Sequence, residues 1–164
     1  MTPVRVLGLG SPFGDDRLGW VAVENLMLSD RFRALPEGLA SAQICDPVGN
    51  HLLDAMRGAN LAILIDAAQS GSAPGTVRRL DARQIEDGTE PCSSHGFGLS
   101  STLALGRALN DLPQNVILFL VEIPAAARFG PAAGLSAPVA TAIPGLVAAV
   151  LSEITQLAGL VVKA

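Results

Sequence analysis

Asn60-Leu61-Ala62-Ile63-Leu64-Ile65-Asp66 is the stretch on which the fold turns. Five apolar residues follow one another without the alternation of a half-solvated strand, and a carboxylate ends the run. A strand apolar on both faces belongs in the middle of a parallel sheet covered by helices on each side. The flanking segments agree with that placement. Arg5 to Leu9 and Val116 to Ile123 read as two further apolar strands and Ala42 to Asp46 as a short one, while Thr76 to Leu80 alternates as an edge strand would. Leu18 to Leu28 has helical spacing, Asn50 to Arg57 is a short helix closed by Gly58, and Leu99 to Leu109 is another. A last helix starts near Ser136, a good N-cap, with Pro138 in its first turn; Pro144 predicts a kink or break in it. Arg31 to Ser41, Ser70 to Gly75, Glu86 to Cys92 and Ala125 to Gly134 read as turns or irregular chain. Strands alternating with helices predict a three-layer α/β sandwich, a mostly parallel twisted sheet flanked by helices, in one domain over residues 1–164.

Composition narrows the function classes. At 49% hydrophobic and 16% charged residues the chain is far from disordered. A net charge of −4 and ten scattered arginines, with Lys163 the only lysine, offer no footprint for nucleic acid. The most apolar region, Leu135 to Val162, contains Pro138, Pro144, Glu153 and Gln156 and reads as a core helix rather than a membrane span. No basic segment followed by a long apolar run opens the chain, so a cytoplasmic location is expected. Cys45 and Cys92 make no disulfide framework. Cys45 reads as a buried small residue, and Cys92, three residues before His95, is a weak candidate for a Cys–His nucleophile.

Three segments carry chemistry. In Gly8-Leu9-Gly10-Ser11-Pro12-Phe13-Gly14-Asp15-Asp16-Arg17-Leu18-Gly19, the glycines imitate a dinucleotide-binding turn between strand and helix. Asp15 and Asp16, however, sit where the phosphates would lie, and two carboxylates favour a cation there. Asp15 is expected to cap the following helix, which leaves Asp16 as the ligand candidate. Asp66 is either a loop cap or a second ligand. His95, in Ser93-Ser94-His95-Gly96-Phe97-Gly98-Leu99, is either a solvated loop residue or a third. In an open parallel sheet, residues beyond the C-terminal strand ends share one crevice, where Asp16, Asp66 and His95 would meet. Two carboxylates and an imidazole suit a borderline divalent metal. His51 reads as a surface residue near that crevice, and Asp46 as a carboxylate on the same edge that orients substrate or polarises water.

Together these segments resemble the nickel-iron hydrogenase maturation endopeptidases. Gly8, Gly10, Asp15, Asp16 and Gly19 stand in that family's order, although Ser11 replaces its usual Asn, the loop is one residue shorter, and Arg17 stands where Gly is frequent. The context of Asp66, through Gly71 and Pro74-Gly75-Thr76-Val77, matches too, as do His95 before a helix, Ile123-Pro124, and Gly134-Leu135-Ser136-Ala137-Pro138-Val139. The resemblance runs from about Val4 to about Leu157. It implies an endopeptidase that trims the C-terminal extension of a hydrogenase large-subunit precursor after nickel insertion. It assigns Asp16, Asp66 and His95 as catalytic residues and nickel ligands, in a carboxylate-dependent (aspartyl) protease whose nickel arrives with the precursor. Asp46 and Arg17 are its weaker substrate-binding candidates, Arg17 as a cation for a substrate carboxylate. Two other readings compete: a nucleotide-binding module using Gly8, Gly10 and Gly14, and a non-catalytic interaction protein of the same fold.

Overall fold

A computed structural model describes residues 3–45, 50–86, 96–125 and 134–161. Five strands form one sheet in the order β2-β1-β3-β5-β4. They are β1 (Val4–Gly8), β2 (Ala40–Ile44), β3 (Leu61–Ala68), β4 (Val77–Asp81) and β5 (Asn115–Glu122). The first three and β5 run parallel, and β4 lies antiparallel on the β5 edge. The expected mostly parallel sheet is therefore present, and the edge strand expected over Thr76 to Leu80 is β4, one residue further on. Every residue of β3 is buried, as its unbroken apolar run requires at the centre of a covered sheet.

Two helical layers cover it. On one face, α1 (Leu18–Leu28) and α6 (Ala137–Val161) pack Leu18, Val23, Leu26, Ile143, Leu146 and Val150 against Val6, Ile63, Ile65, Phe119 and Val121. On the other, α3 (Asn50–Met56), α4 (Ala82–Glu86) and α5 (Gly96–Ala108) pack Leu52, Met56, Ile85, Leu99 and Leu103 against Leu7, Leu64, Leu118 and Leu120. Period-two alternation along each strand sends neighbouring residues to opposite layers.

Four local expectations are corrected. The segment expected to be a loop after α1 contains a short helix, α2 (Asp30–Arg33), whose N-cap Ser29 accepts a hydrogen bond from the Phe32 N–H at 3.2 Å. β2 spans Ala40–Ile44, so it starts two residues before the expected Ala42, while Asp46 lies outside the described residues. Glu86 belongs to α4, whereas residues 87–92 lie outside the described chain. α6 runs unbroken through Pro144. Pro144 removes one intrahelical bond, but the buried stripe of Val139, Ile143, Leu146, Val150 and Ile154 outweighs that loss. Ala137 to Leu157 is long and apolar enough to cross a membrane, and this helix supplies the core on the α1 face.

The strand order places the candidate site. From β1 the chain passes through α1 to β2 on one side, then through α3 back to β3 on the other side of β1. This reversal opens a crevice beyond the C-terminal ends of β1 and β3, the usual ligand position in such sheets.

Candidate functional site

The crevice begins with backbone meeting backbone. Gly8 and Gly19 face each other so closely that a Cβ on Gly8 would lie 2.2 Å from the Gly19 carbonyl oxygen. A Cβ on Gly19 would lie 2.2 Å from the Leu9 carbonyl and 2.7 Å from that of Ile65. The Leu9 N–H also donates to the Ile65 carbonyl at 2.8 Å, carrying the β1–β3 pairing past the end of β1. Gly10 closes the loop, its missing Cβ leaving room for the Asp16 carbonyl, which would be only 1.9 Å away. The space these glycines create is thus filled by the chain itself. Their pattern, which imitates a nucleotide cradle, is accounted for by close packing of α1 on the sheet.

A 3-10 turn over Gly14–Arg17 sits on this platform and packs beside β3. It buries both of its carboxylates: Asp15 is 4% and Asp16 5% exposed. Asp66 does not end its strand as expected: β3 continues to Ala68, so Asp66 lies two residues inside its C-terminal end, 0% exposed, its Oδ1 accepting from the Ala67 N–H at 2.8 Å. Alternation puts Asp66 on the face of Ala62, Leu64 and Ala68, the face covered by α3 and α5. Burying carboxylates is costly unless hydrogen bonds, counter-ions or a metal compensate. A concentration of them at the switch point makes this region the candidate functional site.

Of the other candidates, His95, Asp46 and Cys92 lie outside the described residues. α5 begins at Gly96, the residue after His95. Among the described residues no group of three potential metal ligands is assembled. Arg17 is half-exposed, with its guanidinium 3.5 Å from Glu24 on α1. His51 is exposed on α3, and Cys45 is buried just after β2.

The role expected of Asp15 is corrected. Neither the 3-10 turn nor α1 has a side-chain cap. Instead, Asp15 Oδ1 accepts from the Ser136 N–H at 2.6 Å, 121 residues away, where α6 begins. The carboxylate complements the positive end of that helix and ties it to the crevice. Asp15→Ala should cost about 1.5–3 kcal/mol, the worth of a hydrogen bond to a charged group. Asp15→Asn, which keeps an acceptor, should cost less; urea unfolding of both variants would measure the difference.

Sequence reasoning missed Glu122. It is the last residue of β5, 3% exposed, and its carboxylate accepts from the Ser70 N–H at 2.7 Å, the Ser70 hydroxyl at 2.7 Å and the Gly71 N–H at 2.9 Å. The available signal was the one that singled out Asp66: a carboxylate closing an apolar strand.

A model of the HycI hydrogenase maturation protease family matches residues 47–153. The chain belongs to the hydrogenase maturation protease family. Its fold is similar to that of the hydrogenase maturating endopeptidase HybD from E. coli, at 27% identity and a TM-score of 0.77, covering 95% of this chain and 93% of that one. The [NiFe] hydrogenase maturation protease HybD from Thermococcus kodakarensis shares the fold at 21% identity and a TM-score of 0.72, covering 94% of this chain and 99% of that one. The hydrogenase expression/formation protein HupD from Thiocapsa roseopersicina is 29% identical over 126 residues, which cover 73% of this chain and 53% of that protein. The chain thus spans about half the length of that curated relative. In this maturation-protease fold the switch-point crevice, with Asp16 and Asp66 buried at its edge, is the candidate active site.

Proposed function

We propose that this protein is an endopeptidase that removes the C-terminal extension of a nickel-iron hydrogenase large-subunit precursor after nickel insertion. The observation that carries the proposal is the burial of Asp16 and Asp66 at one sheet edge, in a chain of the hydrogenase maturation protease family. Two hard oxygen ligands and the imidazole of His95 are a donor set for nickel. In this proposal the nickel belongs to the substrate. Three protein ligands leave coordination positions for the precursor's own groups, so the site reads whether nickel has been inserted. Nickel held there would supply a Lewis acid for the scissile carbonyl or its attacking water. Alternatively, a carboxylate of the pair serves as general base: it takes the proton from water as the oxygen adds to the carbonyl carbon, and gives that proton to the amine nitrogen as the C–N bond breaks. Arg17 lies at the rim, with part of its charge met by Glu24, and Asp46 stays a candidate for orienting the precursor.

Matched nickel-loaded and metal-free precursors test both halves of the proposal. Cleavage of the nickel-loaded form alone is expected. Equal cleavage of the two would remove the nickel checkpoint and leave the peptidase. Cleavage of neither would overturn the endopeptidase reading and favour an interaction protein of the same fold.

A further inference from the structure

Beyond the two carboxylates at the switch point, the same sheet edge holds a cavity of about 360 Å³. Gln69, Ser72, Pro74, Ile123 and Ala125 are among its lining residues, with Glu122 in its wall. Glu122 pairs with Ala68 across the β3–β5 ladder, and Asp66 pairs with Leu120. Ala68 and Leu120 both belong to the α3/α5 face, so Asp66 and Glu122 share that face as diagonal neighbours. A strand spacing of about 4.8 Å and a rise of about 3.3 Å per residue place their Cα atoms roughly 8 Å apart.

The segment facing the cavity has little to hold it. From residue 69 to residue 76 no side chain is buried. Glu122 supplies its anchorage: the carboxylate accepts the three bonds from Ser70 and Gly71, the Glu122 carbonyl accepts from the Gly75 N–H at 2.8 Å, and the Glu122 N–H donates to the Thr76 carbonyl at 2.9 Å. Gln69 Nε2 closes one side by donating to the Pro124 carbonyl at 3.2 Å. With its carboxylate occupied by these donors, Glu122 shapes the cavity rather than offering its charge to an occupant. What the lining presents is an amide, a hydroxyl and small apolar surface, which suits an extended polypeptide with small uncharged side chains.

We propose that Glu122 is a positioning residue for the peptidase site, holding residues 69–72 as the wall of a subsite for substrate chain flanking the scissile bond. This inference rests on the endopeptidase reading above.

The test uses the full chain and nickel-loaded precursor, with KM, kcat and melting temperature measured for each variant. Glu122→Ala should raise KM about tenfold with kcat, corrected for folded fraction, within about twofold, because binding common to ground and transition states is lost. Glu122→Gln should stay near wild type, since its Oε1 can accept both N–H groups while its Nε2 donates to the Ser70 hydroxyl. Ala125 is exposed, so Ala125→Trp should fill the cavity, raise KM similarly and melt as wild type does. Should Glu122→Ala not fold, Ala125→Trp decides. An unchanged KM in Ala125→Trp, or a Glu122→Ala defect that only follows the folded fraction, overturns this inference and leaves the peptidase standing. A wild-type chain that cleaves no precursor overturns both.

Discussion

Replacing Asp66 by Asn is expected to lower precursor cleavage by at least about 100-fold while the protein stays folded, the size of effect usual for losing a positioned acid–base group. The substitution keeps shape and volume, and an Asn Oδ1 can still accept the Ala67 N–H that Asp66 Oδ1 accepts at 2.8 Å. What it removes is an ionisable carboxyl group from a fully buried position. In the proposed mechanism that weakens the grip on a substrate-borne cation and takes away a base, while the retained shape and acceptor keep the folded state intact. Asp16→Asn should behave alike if Asp16 shares the role. Cleavage assays beside chemical denaturation distinguish this from a folding defect, and near-wild-type processing by Asp66→Asn would move the chemistry to another part of the molecule.

The largest effect on stability is expected at Gly19. An alanine there would place its Cβ 2.2 Å from one backbone oxygen and 2.7 Å from another. Neither atom belongs to a side chain that can rotate away, so α1 must lift from the sheet. A loss of about 3–5 kcal/mol is expected, at the upper end of overpacking costs and a large share of typical domain stability. Gly145→Ala is the control. Gly145 lies in α6 with nothing within 4 Å of the added Cβ, and this exchange should be neutral or gain up to about 1 kcal/mol. Urea denaturation of the two variants gives the comparison, and a mild loss in Gly19→Ala would show that the loop can yield.

The parts legible in the sequence were those governed by local pattern. α1 spans the expected Leu18 to Leu28, and β3 is buried on both faces as its apolar run requires. The crevice followed from the same pattern, because a parallel sheet sends its loops to one edge. Where local signals conflicted, the reading failed. Pro36 and Gly38, within the stretch that reads as irregular, favour a turn, whereas the Ser29 side chain caps α2, and the break that Pro144 suggests is overridden by the packed face of α6. The partners of Asp15 and Glu122 were out of reach for a different reason. Ser136 lies 121 residues from Asp15, and Ser70 lies 52 from Glu122. Such pairings depend on how layers stack, which no spacing along the chain encodes.

The contact between Gly8 and Gly19 has a consequence for encounter with the proposed precursor. Side-chain interfaces adjust by changing rotamers, but two backbones in contact have no such freedom. The loop that carries Asp16 therefore loses its conformational entropy when the protein folds, not when the substrate arrives. A preorganised site costs little to engage, so the ordering at association falls to the incoming polypeptide. In the proposed reaction, discrimination among nickel-loaded precursors then becomes a matter of which tails can reach a fixed shape.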